Sequence, residues 1–197
     1  AFTLVELLVV IAIIAVLAAA GFAAGNAAIQ KARRLTAQQT ATAIEAAVNA
    51  FFNDYGAMPT DQISEGDSDA PPLNTKDNVK FLEVLLGMED PNDPNLLNSR
   101  GVRYLNVSEG KKKGATGGSN GLIFSDDGKS VRGLFDPWGG PYFVLMDTGF
   151  DEQIAARTAA EKTSKILNRK VAVWTNGADN TTGNPGGGKA TDDVKTW

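Results

Sequence analysis

The chain contains no histidine and no cysteine in its 197 residues. Their absence removes the commonest general base, the commonest transition-metal ligand, thiol nucleophiles, disulfides and cysteine-based zinc sites together. Asp, Glu, Lys, Tyr and Ser remain for acid–base or nucleophilic work. No constellation of them stands out, and an enzyme is not expected. The side chain whose placement most demands chemistry is Glu6. It is the one acid in AFTLVELLVVIAIIAVLAAAGFAA, and positions 7–24 carry no charged or strongly polar residue. A carboxylate in such a helix costs about 2.5–3.5 kcal/mol at mid-membrane and less near the interface. A segment that only anchors would not carry that cost, so Glu6 requires a partner. The α-amino group of a neighbouring copy has the right charge.

The element that positions Glu6 is a long helix. Residues 7–24 would span about 27 Å at about 1.5 Å per residue, close to the hydrocarbon thickness of a bilayer. A signal-peptide core is shorter, about 7–15 residues, and follows a basic start. A plain single-pass anchor is the simpler alternative. The helix is expected to continue, Ala-rich and without proline, to Tyr55. Ala37, Ala41, Ile44, Val48, Phe51, Phe52 and Tyr55 recur at helical spacing and form one apolar face. Arg33 lies in phase with that face, so a head domain should cover it only from about Ala37 onward. Leu35 falls on the opposite side. Lys31, Arg33 and Arg34 either meet lipid phosphates or a neighbour's acids, or form a solvated basic turn. Gly21 and Gly25 are points where the helix can bend or unwind, and Gly56 followed by Pro59 ends it.

Three regions follow: an apolar half-helix over 1–25, an amphipathic half over 26–55, and a head over 56–197. In the head, residues 78–86 read as a short helix stopped by Gly87, and 102–107 as a strand or the foot of one. The stretch 109–121 (EGKKKGATGGSNG) reads as a flexible loop, and 151–167 as helical. Residues 122–124, 142–146 and 170–174 are apolar, β-branched and aromatic runs with strand character. The expected fold class is α+β, a long N-terminal helix packed against a small antiparallel sheet. A formal net charge of −4 argues against nucleic-acid binding as a main role.

The order Phe2-Thr3-Leu4-Val5-Glu6-Leu7-Leu8-Val9-Val10 resembles the N-terminal signature of type IV pilins and of the pseudopilins of type II secretion. In that family a prepilin peptidase removes a basic leader, and the new N-terminal residue becomes N-methylated. The resemblance implies that Glu6 pairs with that amine during assembly. Here Ala1 precedes Phe2, so the methylated amine belongs either to Ala1 or to Phe2. The resemblance further implies an inner-membrane precursor pool and a helical homopolymer in the periplasm or outside the cell. Its implied partners are minor pilins or pseudopilins, an inner-membrane platform and a cytoplasmic ATPase.

Two head motifs sharpen the resemblance. Phe135-Asp136-Pro137-Trp138-Gly139-Gly140-Pro141-Tyr142 is similar to the DPWGNPY turn of major pseudopilins, the secretion protein G group. The end of the chain, with Asn176, Asp179 and the finish Asp192-Asp193-Val194-Lys195-Thr196-Trp197, resembles the loop with which that group wraps calcium. Asp179, Asp192 and Asp193 are the implied carboxylate ligands and Asn176 an implied carbonyl ligand. Calcium takes about six to eight oxygens at about 2.3–2.6 Å, which such residues can supply. Asn180 and Pro185 depart from the family pattern, and the alternative use of the acids is plain solvation. The motifs favour the major pseudopilin. An adhesion or motility pilin is the alternative, and a monomeric, membrane-anchored calcium-binding domain is a second one.

Overall fold

The computed structural model describes residues 3–62, 69–158, 161, 163–179 and 193–197, apart from the side chains at 20, 21, 23 and 24. Ala1, Phe2 and Asp192 therefore lie outside the described residues. The architecture is α+β, as expected. Helix α1, Leu4–Tyr55, runs unbroken for 52 residues. Alanine, leucine and charged residues of high helix propensity fill it, and no proline interrupts it. Gly56 stops it in the left-handed conformation (φ 69°), its N–H donating to Phe52 O at 2.8 Å.

The two halves of α1 differ in what covers them. Leu4, Ile11, Leu17 and Phe22 are 79%, 57%, 66% and 76% exposed, whereas Ala37, Ala41, Ile44, Val48 and Phe51 are buried. The head thus begins to cover α1 at Ala37, and Arg33, Leu35 and Ile29 lie bare below it. Among the described residues no helix is long and apolar enough to cross a membrane.

A four-stranded antiparallel sheet lies on the upper half of α1 in the order β1 (Leu73–Asn74), β6 (Phe143–Met146), β9 (Val171–Thr175), β10 (Val194–Lys195). Strand β9 is buried throughout because both its faces are covered. Val171 and Val173 belong to the core built on α1, whereas Ala172 and Trp174 join a second cluster with Leu145, Ile154, Ala156 and Leu167. The last three sit on a hairpin of β7 (Ile154–Ala156) and β8 (Lys165–Leu167). This corrects the helix expected over 151–167. Ile154 and Ala156 are buried and Ala155 is exposed, a strand alternation that covers the outer face of the sheet. Tertiary burial outweighs alanine's helix preference here.

Helix α2 (Val79–Leu86) ends at a left-handed Gly87, as the sequence indicates. Its last turn accepts Tyr104 and Leu105 N–H at Leu85 O, at 2.8 and 2.9 Å, so residues 102–107 pack along α2 and not in a sheet. The expected flexible loop at 109–121 is also ordered. It contains β2 (Lys111–Lys113) paired with β3 (Gly117–Ser119), followed by β4 (Gly121–Phe124), which pairs with β5 (Val131–Phe135). Gly118 permits the close approach: a Cβ there would lie 2.5 Å from Ile123 Cγ1 and 2.7 Å from Phe135 Cδ2.

Candidate functional site

At the start of α1, Thr3 and Glu6 form a reciprocal cap. Thr3 has extended backbone (φ −85°, ψ 150°), and its Oγ1 accepts from Glu6 N at 3.3 Å. Glu6 Oε2 in turn accepts from Thr3 N at 2.8 Å and from Thr3 Oγ1 at 2.7 Å. The Thr-x-x-Glu spacing is a capping box that satisfies otherwise orphaned N–H groups. The Thr3-x-x-Glu6 spacing is itself the sequence signal for this cap. In the isolated chain the carboxylate is thus already held at the helix start, exposed, with Oε1 lacking a partner among the described residues. The arrangement orients an anion at the tip of an apolar rod. Ala1 and Phe2, the expected sources of the pairing amine, fall outside the described residues.

At the other end of the head, the antiparallel register pairs Val194 with Thr175 and so sets Asp193 opposite Asn176. Asn176 is buried, and its side-chain oxygen Oδ1 has no hydrogen-bond partner among the described residues. Asp179 is exposed and Asp193 is buried. Asp193 Oδ2 accepts from Thr158 Oγ1, and its backbone carbonyl accepts from Arg34 at 3.2 Å. Among the described residues no group of three or more His, Cys, Asp or Glu side chains is placed to hold a metal. Asn176 Oδ1 and the Asp193 carboxylate are hard oxygen donors of the kind calcium takes, and Asp193 is already engaged by Thr158.

The C-terminal strand is fastened to α1 by side chains on one helix face. Gln38 donates to Lys195 O at 3.2 Å, and Arg169 bridges Glu45 (3.3 Å) and Thr196 O (2.9 Å). Lys195 pairs with Glu161 at 2.5 Å, and Trp197 meets Trp174 edge-on at 5.7 Å.

The 135–142 turn is built around Asp136, which is fully buried. Its Oδ1 accepts from the N–H groups of Trp138, Gly139 and Gly140 at 2.9, 2.7 and 2.8 Å. Its Oδ2 accepts from Thr175 Oγ1, which ties the turn to the residue before Asn176. Burial pushes the Asp136 carboxyl above its ordinary value, while these donors pull in the opposite direction. Trp138 Nε1 donates to Gln30 Oε1 on α1 at 3.2 Å, so the turn also reaches the exposed stretch of the helix below Ala37.

Residues 1–22 match the prokaryotic N-terminal methylation motif. The chain is thus similar to that motif over its N-terminal segment alone. The match ends within the uncovered half of α1, so the head lies beyond it. No curated protein and no solved structure matches the chain.

Proposed function

We propose that this chain is a structural subunit of a helical pilus-like filament, with no catalytic role, and that it is the major pseudopilin of a type II protein secretion system. The observation that carries the reading is the bare apolar half of α1 behind a methylation-type N-terminus. Leu4, Val5, Leu7 and Leu8 are 79%, 68%, 61% and 56% exposed, far more contiguous apolar surface than a free monomer keeps in water. Lipid covers it before assembly, and the same segment of other copies covers it afterwards. The Glu6 carboxylate, already aimed by Thr3, takes the N-terminal amine of a neighbour, and this pairing sets the register. A prepilin peptidase prepares that amine. A membrane platform with a cytoplasmic ATPase drives assembly, and minor pseudopilins join the polymer.

In this reading the C-terminal loop binds calcium. Asn176 Oδ1 supplies the neutral ligand, and Asp179, Asp192 and Asp193 supply the carboxylates. The ion would neutralise acids that otherwise repel, and would hold the loop against β9. The turn around Asp136 supports the secretion role, since it resembles that of the major pseudopilins.

The size of the head favours a second reading, a surface pilin for adhesion or motility. Its lysine-bearing β2–β3 hairpin and its β7–β8 hairpin stand outside the four-stranded sheet. Electron microscopy and mass spectrometry of material sheared from cells at native expression separate the two. Long filaments of this chain in the sheared fraction would overturn the secretion reading in favour of the surface pilin. Retention in the cell envelope is the result expected of a pseudopilin.

A further inference from the structure

The upper rim of the head holds a groove of about 430 Å³ with an apolar floor of Pro71, Pro72, Leu145 and Ile154 and an acidic edge of Asp69 and Asp151. Two large apolar side chains stand bare at this rim: Ile166, 61% exposed and lining the groove, and Phe150, 57% exposed. Neither Asp69 nor Asp151 forms an ion pair among the described residues. Glu152 adds a further exposed acid. Buried Asp147 accepts from the N–H groups of Asp151 and Glu152 at 3.2 and 2.9 Å. Of the cations near this end, Lys170 lies over the Phe52 ring, 4.0 Å from its centroid, and Lys165, exposed beside Ile166, acts electrostatically on Glu161.

The lower rim is the chemical opposite. Ile29 and Arg33 continue the helix face that the head covers from Ala37 upward, yet Ile29 is 53% exposed and Arg33 is exposed. Lys31 stands beside them, and neither Lys31 nor Arg33 has a carboxylate partner among the described residues. An apolar residue and unpaired cations thus wait at one end of the head. Apolar residues wait at the other, with carboxylates that lack an ion-pair partner among the described residues, Asp69 accepting from Thr148 N–H and Asp151 from Gln153 N–H.

The ends cannot meet within one chain. Phe52, whose ring lies 6.2 Å from that of Phe150, is 19 positions above Arg33 on the same helix, about 28 Å along the axis. We propose that the groove of one subunit receives residues 29–33 of α1 from a second copy, with Arg33 on Asp69 and Asp151 and Ile29 on the Ile166 and Phe150 surface. The contact joins two different patches, so it is heterologous and propagates into an open helical assembly instead of closing as a dimer. It offsets the copies by about 28 Å along α1. The groove's charge rejects the upper rim of another head, which gives the assembly its polarity. This contact rests on the filament reading and adds to it a specific seam between heads.

The absence of cysteine allows a direct test. Arg33→Cys is combined with Asp151→Cys in one full-length chain and with Ile166→Cys in another, since all three positions are exposed. Both chains are expressed with the assembly machinery and oxidised mildly, and filaments are counted by electron microscopy. The expected result is a ladder of disulfide-linked multimers from both double variants and none from any single variant. Filaments without a ladder would overturn this contact and leave the filament reading standing. Absence of both, with wild-type filaments also missing, would overturn the two together. A charge swap gives a second readout: Asp151→Arg should lose filaments, and adding Arg33→Asp to the same chain should restore them.

Discussion

Replacing Asp136 with alanine should cost the head a large part of its stability, without touching any residue placed at the assembly end. The carboxylate is fully buried and accepts three backbone N–H groups and the Thr175 hydroxyl. Each buried donor left unpaired costs about 1–3 kcal/mol. The hydroxyl can rotate away, and water entering the vacated space recovers part of the loss. The expected cost is therefore about 3–5 kcal/mol, against a typical domain stability of about 5–15 kcal/mol. Asp136→Asn retains the acceptor oxygen for the three N–H groups and offers a donor to Thr175. It removes a buried charge, so it should lie within about 1 kcal/mol of wild type. The assay is urea unfolding of the full chain in detergent, followed by the fluorescence of Trp138, Trp174 and Trp197. With a slope near 2 kcal/mol/M, the alanine variant should unfold at about 2 M less urea. The pH dependence adds a sign. Burial raises the folded-state value of Asp136, so its contribution is full below its unfolded value of about 3.9 and is lost as pH rises through the folded value. Relative to Asp136→Asn, the wild type should therefore lose ground as pH rises from about 3 toward neutrality. An alanine variant within about 1 kcal/mol of wild type, or a wild-type advantage over Asp136→Asn that grows with pH, would show that this carboxylate does not hold the turn in the way described.

Other perturbations report on separate parts of the molecule. Asn176→Ala should abolish calcium-dependent stabilisation, which at 100-fold excess over Kd is about 2.7 kcal/mol, and chelation should do the same in wild type. Limited proteolysis should then cut first within residues 175–197, whereas equal cutting with and without calcium would contradict the assignment. Gly118→Ala should destabilise by about 1–3 kcal/mol in a thermal melt, because its Cβ would enter the space of Ile123 and Phe135. Phe51→Ala should cost about 3–5 kcal/mol, since the ring is buried and stacks on Tyr55 at 4.5 Å.

Local signals were legible where a residue's own conformation or periodicity decides the structure. Gly56 and Gly87 end their helices in left-handed geometry, and the apolar spacing from Ala37 to Phe51 is the buried face of α1. The runs that became β4, β6 and β9 were visible because they are β-branched and aromatic. Where pairing or packing against another segment decides, the sequence misled. Lys111–Lys113 is strand because glycines at 117 and 118 allow a backbone to pair with it. Ile154–Ala156 is strand because the outer face of β9 has to be covered. Strand β5, carrying Gly133 at φ 149°, had no apolar run long enough to announce it. At the candidate sites the residue types were readable and their neighbours were not. Nothing local indicates that Thr158 bonds Asp193, or that Thr175 bonds Asp136.

The measurement closest to the central proposal compares the wild-type chain with Glu6→Ala, each expressed with the assembly machinery, by electron microscopy of the filaments and mass spectrometry of their subunits. Wild type should yield filaments built of this chain. The variant should reach the membrane in equal amount, with its folded head intact, and yield none. Normal filaments from Glu6→Ala would contradict the pairing of the carboxylate with a neighbour's amine, and no filament from wild type would contradict the subunit reading itself.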